Sequence, residues 1–314
     1  GAALWSYKMP SPPQERERVV IADTNMITSA LIYIALAQGY FAEQGLDVQL
    51  QSHAYGKLAL SAALDGKADL ATVAEVPFAN AIIAGRNPGI IAGISTSDKD
   101  VMLISRRDVG LRSPRDLIGK TIGIIAGTNS ETFLRLFLST NNISTTDVHM
   151  LATKPDEAIE LLSSGKIDAF SGWLSLRLKA EQVLKQRYFV LTEPSAYTEN
   201  WLLTAPSTFL IQRPNTTQKL LRALIKAEDY ARTEPVASQA ITQRYININP
   251  EALIRYWSDF GFVVDLNQAM IINLEYMARV ALENKVGERL PNFLNAIAFD
   301  EMAQVDSARV IIPH

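Results

Sequence analysis

Short β-branched runs alternate with apolar residues at helical spacing along the first two thirds of the chain. Val19-Val20-Ile21-Ala22 is a continuous apolar run between charged residues and the polar Asp23-Thr24-Asn25, which predicts a buried strand. From Ser29 onward Ala30, Leu31, Ile34, Ala35 and Phe41 recur at helical spacing, and Gly39 and Gly45 bracket the exit from that helix. Leu46-Asp47-Val48-Gln49-Leu50 alternates apolar and polar positions, the period of a half-buried strand. A helix over 58–64, ended by Gly66-Lys67, and a strand through Leu70-Ala71-Thr72-Val73-Ala74 complete the block.

A second copy of this layout begins near residue 120. Thr121-Ile122-Gly123-Ile124-Ile125-Ala126 reads as a strand and Gly127-Thr128-Asn129-Ser130 as a loop. Phe133, Leu134, Phe137 and Leu138 mark one face of a helix over 131–140. Asp147-Val148-His149-Met150-Leu151 follows as an alternating strand, then a helix over 156–164 and a turn into a strand at Gly165-Lys166-Ile167-Asp168-Ala169-Phe170. The turn Gly66-Lys67-Ala68-Asp69 therefore recurs as Gly165-Lys166-Ile167-Asp168 at the same place in the second block. Its chemistry is local: glycine takes the left-handed C′ conformation, lysine sits at the carbonyl end of the helix dipole, and aspartate turns the chain into the strand. Its repetition implies two similarly built α/β lobes rather than one continuous sheet.

Val101-Met102-Leu103-Ile104-Ser105-Arg106 reads as a strand leading out of the first block and Ser207-Thr208-Phe209-Leu210-Ile211-Gln212 as one leading out of the second, a pair suited to cross between lobes as a hinge. Beyond Pro214, helical spacing predicts helices over 218–233, 236–245, 250–260 and 267–284 that pack back on the first lobe. The expected organisation is an N-terminal tether, 1–16, a discontinuous lobe 1 of 17–105 and 206–314, and lobe 2 of 106–205.

Four segments resemble one family. Ala35-Leu36-Ala37-Gln38-Gly39-Tyr40-Phe41-Ala42-Glu43-Gln44-Gly45-Leu46-Asp47-Val48 is similar to the "kGyFaeeGLdV" segment of the periplasmic solute-binding proteins of sulfonate, taurine, nitrate and thiamine-pyrimidine-precursor transporters. Ala63-Leu64-Asp65-Gly66-Lys67-Ala68-Asp69-Leu70-Ala71, Asp116-Leu117-Ile118-Gly119-Lys120-Thr121-Ile122-Gly123 and Ser164-Gly165-Lys166-Ile167-Asp168-Ala169 resemble its other scaffold motifs, and the four span roughly 19–260. The resemblance implies a type II periplasmic binding protein fold: α/β, two lobes joined by crossing hinge strands, closing on a ligand in a central cleft. It also implies a monomer that delivers a small anionic or zwitterionic solute, sulfonate-like, taurine-like or an amino-heterocycle, to the membrane permease of an ABC importer. The scaffold motifs do not name the ligand, because the loops that face the cleft are where members differ.

Composition narrows the alternatives. In 314 residues, 30 Lys and Arg stand against 33 Asp and Glu for a net charge of -3, with no basic run, so nucleic acid is not an expected partner. Cys 0 removes disulfides, thiolate metal sites and cysteine nucleophiles together. His53, His149 and His314 show no metal-ligand spacing, and neither metal nor cofactor is expected. No stretch reaches the roughly 18 to 20 apolar residues of a membrane span. The start, Gly-Ala-Ala-Leu-Trp-Ser-Tyr-Lys and a Pro-rich charged spacer, fits a tether left after a signal or anchor is removed, or a cloning remnant. The expected location is periplasmic or extracytoplasmic.

Ligands of open α/β sheets bind beyond the carboxyl ends of the strands, beside helix N-termini that favour anions. Gly127, Thr128, Asn129 and Ser130 hold that place in the second lobe, and Thr24, Asn25, Thr28 and Ser29 in the first; each set also reads as turn and N-cap chemistry. Tyr55 and Gly56 follow the second strand, where a ring stacks on a ligand or simply forms a surface loop. Glu75, after the third strand, is a carboxylate suited to an ammonium or amidine, or else a cap. Ser95 and Thr96 follow a further strand. Trp173 stands where the resemblance leads one to expect an acidic residue, and offers a flat face to a ring or cation, or packs between lobes.

Three functions compete: solute capture for transport, the ligand-sensing extracytoplasmic domain of a membrane receptor, and a thiamine-pyrimidine-related enzyme. The enzymes that the resemblance brings in use a cysteine-rich iron motif, which this sequence lacks, and no Ser–His–Asp order or paired-carboxylate constellation stands out. A non-catalytic capture protein is the leading expectation.

Overall fold

The computed structural model describes residues 15–191, 197–283 and 287–312. Of the expected tether, residues 1–14 lie outside the described residues. Among the described residues ten strands form the two large sheets: β1 (Glu17–Asp23), β2 (Leu46–Ser52), β3 (Leu70–Ala74), β4 (Pro88–Ser97), β5 (Met102–Arg106), β6 (Thr121–Ile124), β7 (His149–Ala152), β8 (Ala169–Gly172), β9 (Tyr188–Leu191) and β10 (Glu199–Pro206). One five-stranded sheet runs β2-β1-β3-β10-β4, the other β7-β6-β8-β5-β9. In each, three neighbouring strands are parallel, and one strand, β10 or β5, runs antiparallel between them and the edge strand β4 or β9.

The recurring Gly-Lys-x-Asp turn aligns the two sheets residue by residue. Gly66 and Gly165 both adopt positive φ, 76° and 78°, where a side chain would be strained. Asp69 Oδ2 then accepts from the Val20 backbone N–H at 2.7 Å, and Asp168 Oδ2 from that of Thr121 at 2.8 Å. Each aspartate thereby satisfies a backbone donor of the neighbouring strand before the parallel ladder begins.

The crossings fall elsewhere than the sequence reading placed them. β5 pairs with β8 and β9 in the second sheet, and β10 pairs with β3 and β4 in the first. The chain therefore changes lobe between β4 and β5 and again between β9 and β10, so 102–106 go with lobe 2 and 199–206 with lobe 1. Ser207–Gln212 is a helix, not a strand. Pro206 ends β10, the Ser207 N–H turns to the Asn87 carbonyl at 2.8 Å, and Pro214 opens the next helix.

The helices after Pro214 pack on lobe 1 as their periodicity predicts: Pro214–Thr233 lies against the Ala30–Ala37 helix, and Gln268–Glu283 against Glu75–Ile83. Ala30–Ala37 is apolar all round because it is covered on every side, with Ala30 through Ala35 buried. Among the described residues no helix is long and apolar enough to cross a membrane.

Candidate functional site

The carboxyl ends of both parallel strand sets face a shared cleft, and the lobes touch across it. Lys57 Nζ and Asn80 Nδ2 of lobe 1 each donate at 3.3 Å to backbone carbonyls of lobe 2, those of Ala126 and Gly127. Arg177 lies over the Tyr256 ring at 4.8 Å. Within this closed arrangement stand two small chambers of about 20 Å³ each. Met26 and Trp173 line both.

Tyr55, Trp173 and Trp201 wall the first chamber. Tyr55 and Trp173, from opposite lobes, have ring centroids 6.3 Å apart. Trp201 is oriented by a hydrogen bond from its Nε1 to Ser29 Oγ at 3.1 Å. Gly56 permits the close approach of the helix it opens, since a Cβ there would meet Val73 Cα at 3.1 Å and Trp201 Cη2 at 3.2 Å. Aromatic faces from both lobes meet at this chamber.

The polar loops do different work. Asp23 is buried and accepts four hydrogen bonds, from Ser29 Oγ, Tyr33 OH, Thr72 Oγ1 and the Asn25 N–H at 2.6 to 3.0 Å. Ser29 is thus held inside the loop. Asn25, at φ 54°, donates to the Tyr245 carbonyl and accepts from Ser52. In lobe 2 Thr128 caps its helix by accepting from the Ser130 N–H, and the Ser130 hydroxyl accepts from the Ile125 N–H while donating to the Ser171 carbonyl at 2.7 Å. The Gly127 N–H donates to Glu131. Thr128 and Asn129 line the first chamber; Asn25 and Thr28 line the second. The Thr24 and Thr28 hydroxyls are buried without a partner.

Ser95, Thr96 and Glu75 line neither chamber. The Ser95 hydroxyl donates to the Thr28 carbonyl at 2.8 Å, and Thr96 exchanges backbone hydrogen bonds with Gly261. Glu75 is completely buried at the start of its helix, where it accepts from the Asn200 N–H at 2.9 Å. Burial pushes its carboxyl up to about 7, against hydrogen bonds from its own backbone, Asn200, Tyr197 and Asn273 that favour the charged form.

Two acids that sequence reasoning passed over sit where the chain crosses between lobes. Glu199 lines the first chamber and Asp100 the second. Glu199 Oε1 accepts from Asn129 Nδ2 at 2.6 Å and Asp100 Oδ1 from the Leu174 N–H at 3.0 Å, so each holds the first residue of a lobe 2 helix. Glu199 Oε2 is buried and meets no N–H donor, and the Asp100 carboxyl is a neighbour that acts on Glu199. Burial, then the neighbouring Asp100 charge, keeps the Glu199 proton on well above the usual carboxylate range, and burial raises Asp100 as well. Met26, Lys57 and Trp201 were also missed. A charge and a tryptophan inside the apolar run 199–206 were the available signal.

Such a two-lobed molecule with a cleft at its crossings has the periplasmic binding protein fold. The alkanesulfonate-binding protein SsuA of Xanthomonas axonopodis pv. citri, solved with MOPS, aligns over 90% of this chain and 98% of its own with TM-score 0.76 and 16% identity. The periplasmic nitrate-binding protein NrtA of Synechocystis aligns over 94% and 89% with TM-score 0.71 and 11% identity. A Brucella abortus protein named only as a binding protein is 24% identical over 228 residues, 70% of this chain and 69% of its own. The family model "NMT1/THI5 like" matches residues 27–238, and the chain belongs to that family.

Proposed function

We propose that this chain is the extracytoplasmic solute-binding component of an ABC importer, a non-catalytic protein that captures a small organic solute by lobe closure and hands it to a membrane permease. The observation that carries the reading is the small chamber walled by Tyr55 and Trp201 from one lobe and Trp173 from the other. A ligand there touches both lobes at once, so its binding energy is the energy of closure. Sulfonate and nitrate recognition by structural neighbours keeps an anionic or zwitterionic solute in view, and the Asn129–Thr140 helix start and Lys57 offer the matching charge. Aromatic walls beside Glu199 favour the zwitterionic or amino-heterocyclic end of that range.

Native mass spectrometry followed by thermal shift against alkanesulfonates, taurine, nitrate, aminopyrimidines, amino acids and aromatic acids tests this. A solute at one hundred times its Kd raises apparent stability by about 2.7 kcal/mol. One class is expected to give a saturable shift that Trp173→Ala removes. No bound mass and no shift with any member sinks the reading.

A further inference from the structure

We propose that the paired carboxyls of Asp100 and Glu199 are the specificity-determining element of the cleft and select a solute carrying a cationic nitrogen, an amidinium or ammonium; this rests on the solute-capture reading above. The geometry is that of a floor seen from two sides. Glu199 lines one chamber and Asp100 the other, and the two carboxyls are close enough to act on each other. Both are nearly inaccessible to solvent, at 2% and 6% exposure.

The surroundings leave this floor short of positive charge. Glu75, on the helix after β3, and Tyr197, just before β10, are the titratable groups that face Glu199 together with Asp100. Lys57 lines the first chamber, but its Nζ is turned to the Ala126 carbonyl. Lys99 pairs with Asp259 near the surface, and Arg177 is engaged by Tyr188, Met102 and Tyr256. Among the described residues no cation stands between them, and two neighbouring buried carboxyls favour keeping a proton over ionising together. A solute bringing a positive charge and several N–H donors replaces that proton with charge-assisted hydrogen bonds to both groups.

A second observation points the same way. The Thr28 hydroxyl, 4% exposed, is buried without a partner and belongs to the chamber that Asp100 enters. It is a spare acceptor for a further N–H. The N–H groups of lobe 2 that would serve an anion are partly committed already: Leu174 N–H to Asp100, and the Asn129 side-chain amide to Glu199.

Benzamidine, benzamide and benzoate are flat probes of one shape and three charges. Benzamidine keeps its cation across the range in which the pair titrates, so any change in its affinity with pH reports the protein. Isothermal titration is expected to show benzamidine binding at least about tenfold tighter than benzamide, the loss of roughly 1.4 kcal/mol or more. Its affinity should rise as pH rises, because deprotonation of the pair exposes the charge that the cation needs. Glu199→Gln, which keeps an acceptor for Asn129, should remove both the preference and the pH dependence; Asp100→Asn gives the same readout from the other side, and circular dichroism checks that each variant folds. Preference for benzoate, or a benzamidine preference unchanged in both variants, overturns the assignment while capture stands. So does capture of a solute with no cationic nitrogen when benzamidine is excluded. Silence from the three probes and from the whole solute panel overturns both readings.

Discussion

The two lobes follow one plan with opposite chemistry at the ends of their strands. The Gly-Lys-x-Asp register makes Asp23 the counterpart of Ile124, Glu75 that of Leu174, and Ala74 that of Trp173. Lobe 1 buries carboxyls at the first two of these places and a small residue at the third; lobe 2 has aliphatic residues and a large ring. Acids in lobe 1 are ringed by hydroxyls and amides that fix the loops, which makes that side a preorganised base. Apolar strand ends in lobe 2 leave Trp173 as a surface that closes onto the base. Equivalent positions in a repeated scaffold thus divide into one side that stores polar order and one that supplies contact area.

The contrast breaks most visibly at Asp23. Asp23→Ala leaves the Ser29, Tyr33 and Thr72 hydroxyls and the Asn25 N–H without their shared acceptor in a fully buried site. We expect a loss of about 3–5 kcal/mol in urea unfolding. Ile124→Ala, at the matching place in lobe 2, removes only apolar contact and should cost about 2–4 kcal/mol without disturbing Trp201, whose emission reports the Ser29 bond in lobe 1.

Glu75 sharpens the comparison through pH. Its carboxyl titrates at about 7 in the folded protein against an ordinary value of 4.5, so its proton binds more tightly to the native state. That stabilisation is complete below about 4.5 and is lost as pH rises through about 7, a contribution on the order of 3 kcal/mol. Thermal unfolding across that window should therefore show falling stability. Glu75→Gln should flatten the decline in part, since Glu199 and Asp100 are raised in the same direction. A decline left intact by the substitution would remove Glu75 from the account.

The polar loop of lobe 2 gives a smaller effect. Ser130→Ala orphans the Ile125 N–H and the Ser171 carbonyl inside the second sheet, a cost of about 1–3 kcal/mol by denaturant titration. As Ser130 is fully buried, solute affinity is expected to change less than stability. The reverse result would bring its hydroxyl into contact with ligand.

Much of this was legible in the sequence for reasons that are local. The repeated turn, the period-two strands and the helical stripes depend on near neighbours, so Asp69 and Asp168 announce their roles by spacing alone. Hydroxyls at strand ends were equally visible, but their partners were not. Ser29 and Ser130 are used internally because Asp23, Trp201, Ile125 and Ser171 converge on them, and that convergence is tertiary. The crossings were misplaced because β5 and Ser207–Gln212 have apolar patterns compatible with either sheet or helix. Glu199 escaped notice for a related reason: a lone acid in a strand gains meaning only when Asp100, 99 positions away in the chain, is brought against it.

The smallest expected effect concerns the rim where the lobes meet. Arg177 of lobe 2 lies over Tyr256 of lobe 1 at 4.8 Å, and Arg255 approaches the same ring at 6.0 Å. Arg177 is already anchored to its own lobe by the Tyr188 hydroxyl at 2.8 Å, so its contact with Tyr256 is an interaction that only closure makes. Tyr256→Leu keeps an apolar residue at a buried position and removes the ring quadrupole, a loss of about 0.5–1 kcal/mol. Because that energy belongs to the closed form alone, it shifts the open-to-closed ratio by about two- to fivefold rather than the unfolding equilibrium. Small-angle X-ray scattering of the unliganded protein should record a modest rise in radius of gyration with an unchanged urea midpoint. An unchanged radius together with a lowered midpoint would assign the Arg177–Tyr256 contact to lobe stability instead, and would place the hold on the closed form at the Asn129–Glu199 and Leu174–Asp100 bonds deeper in the cleft.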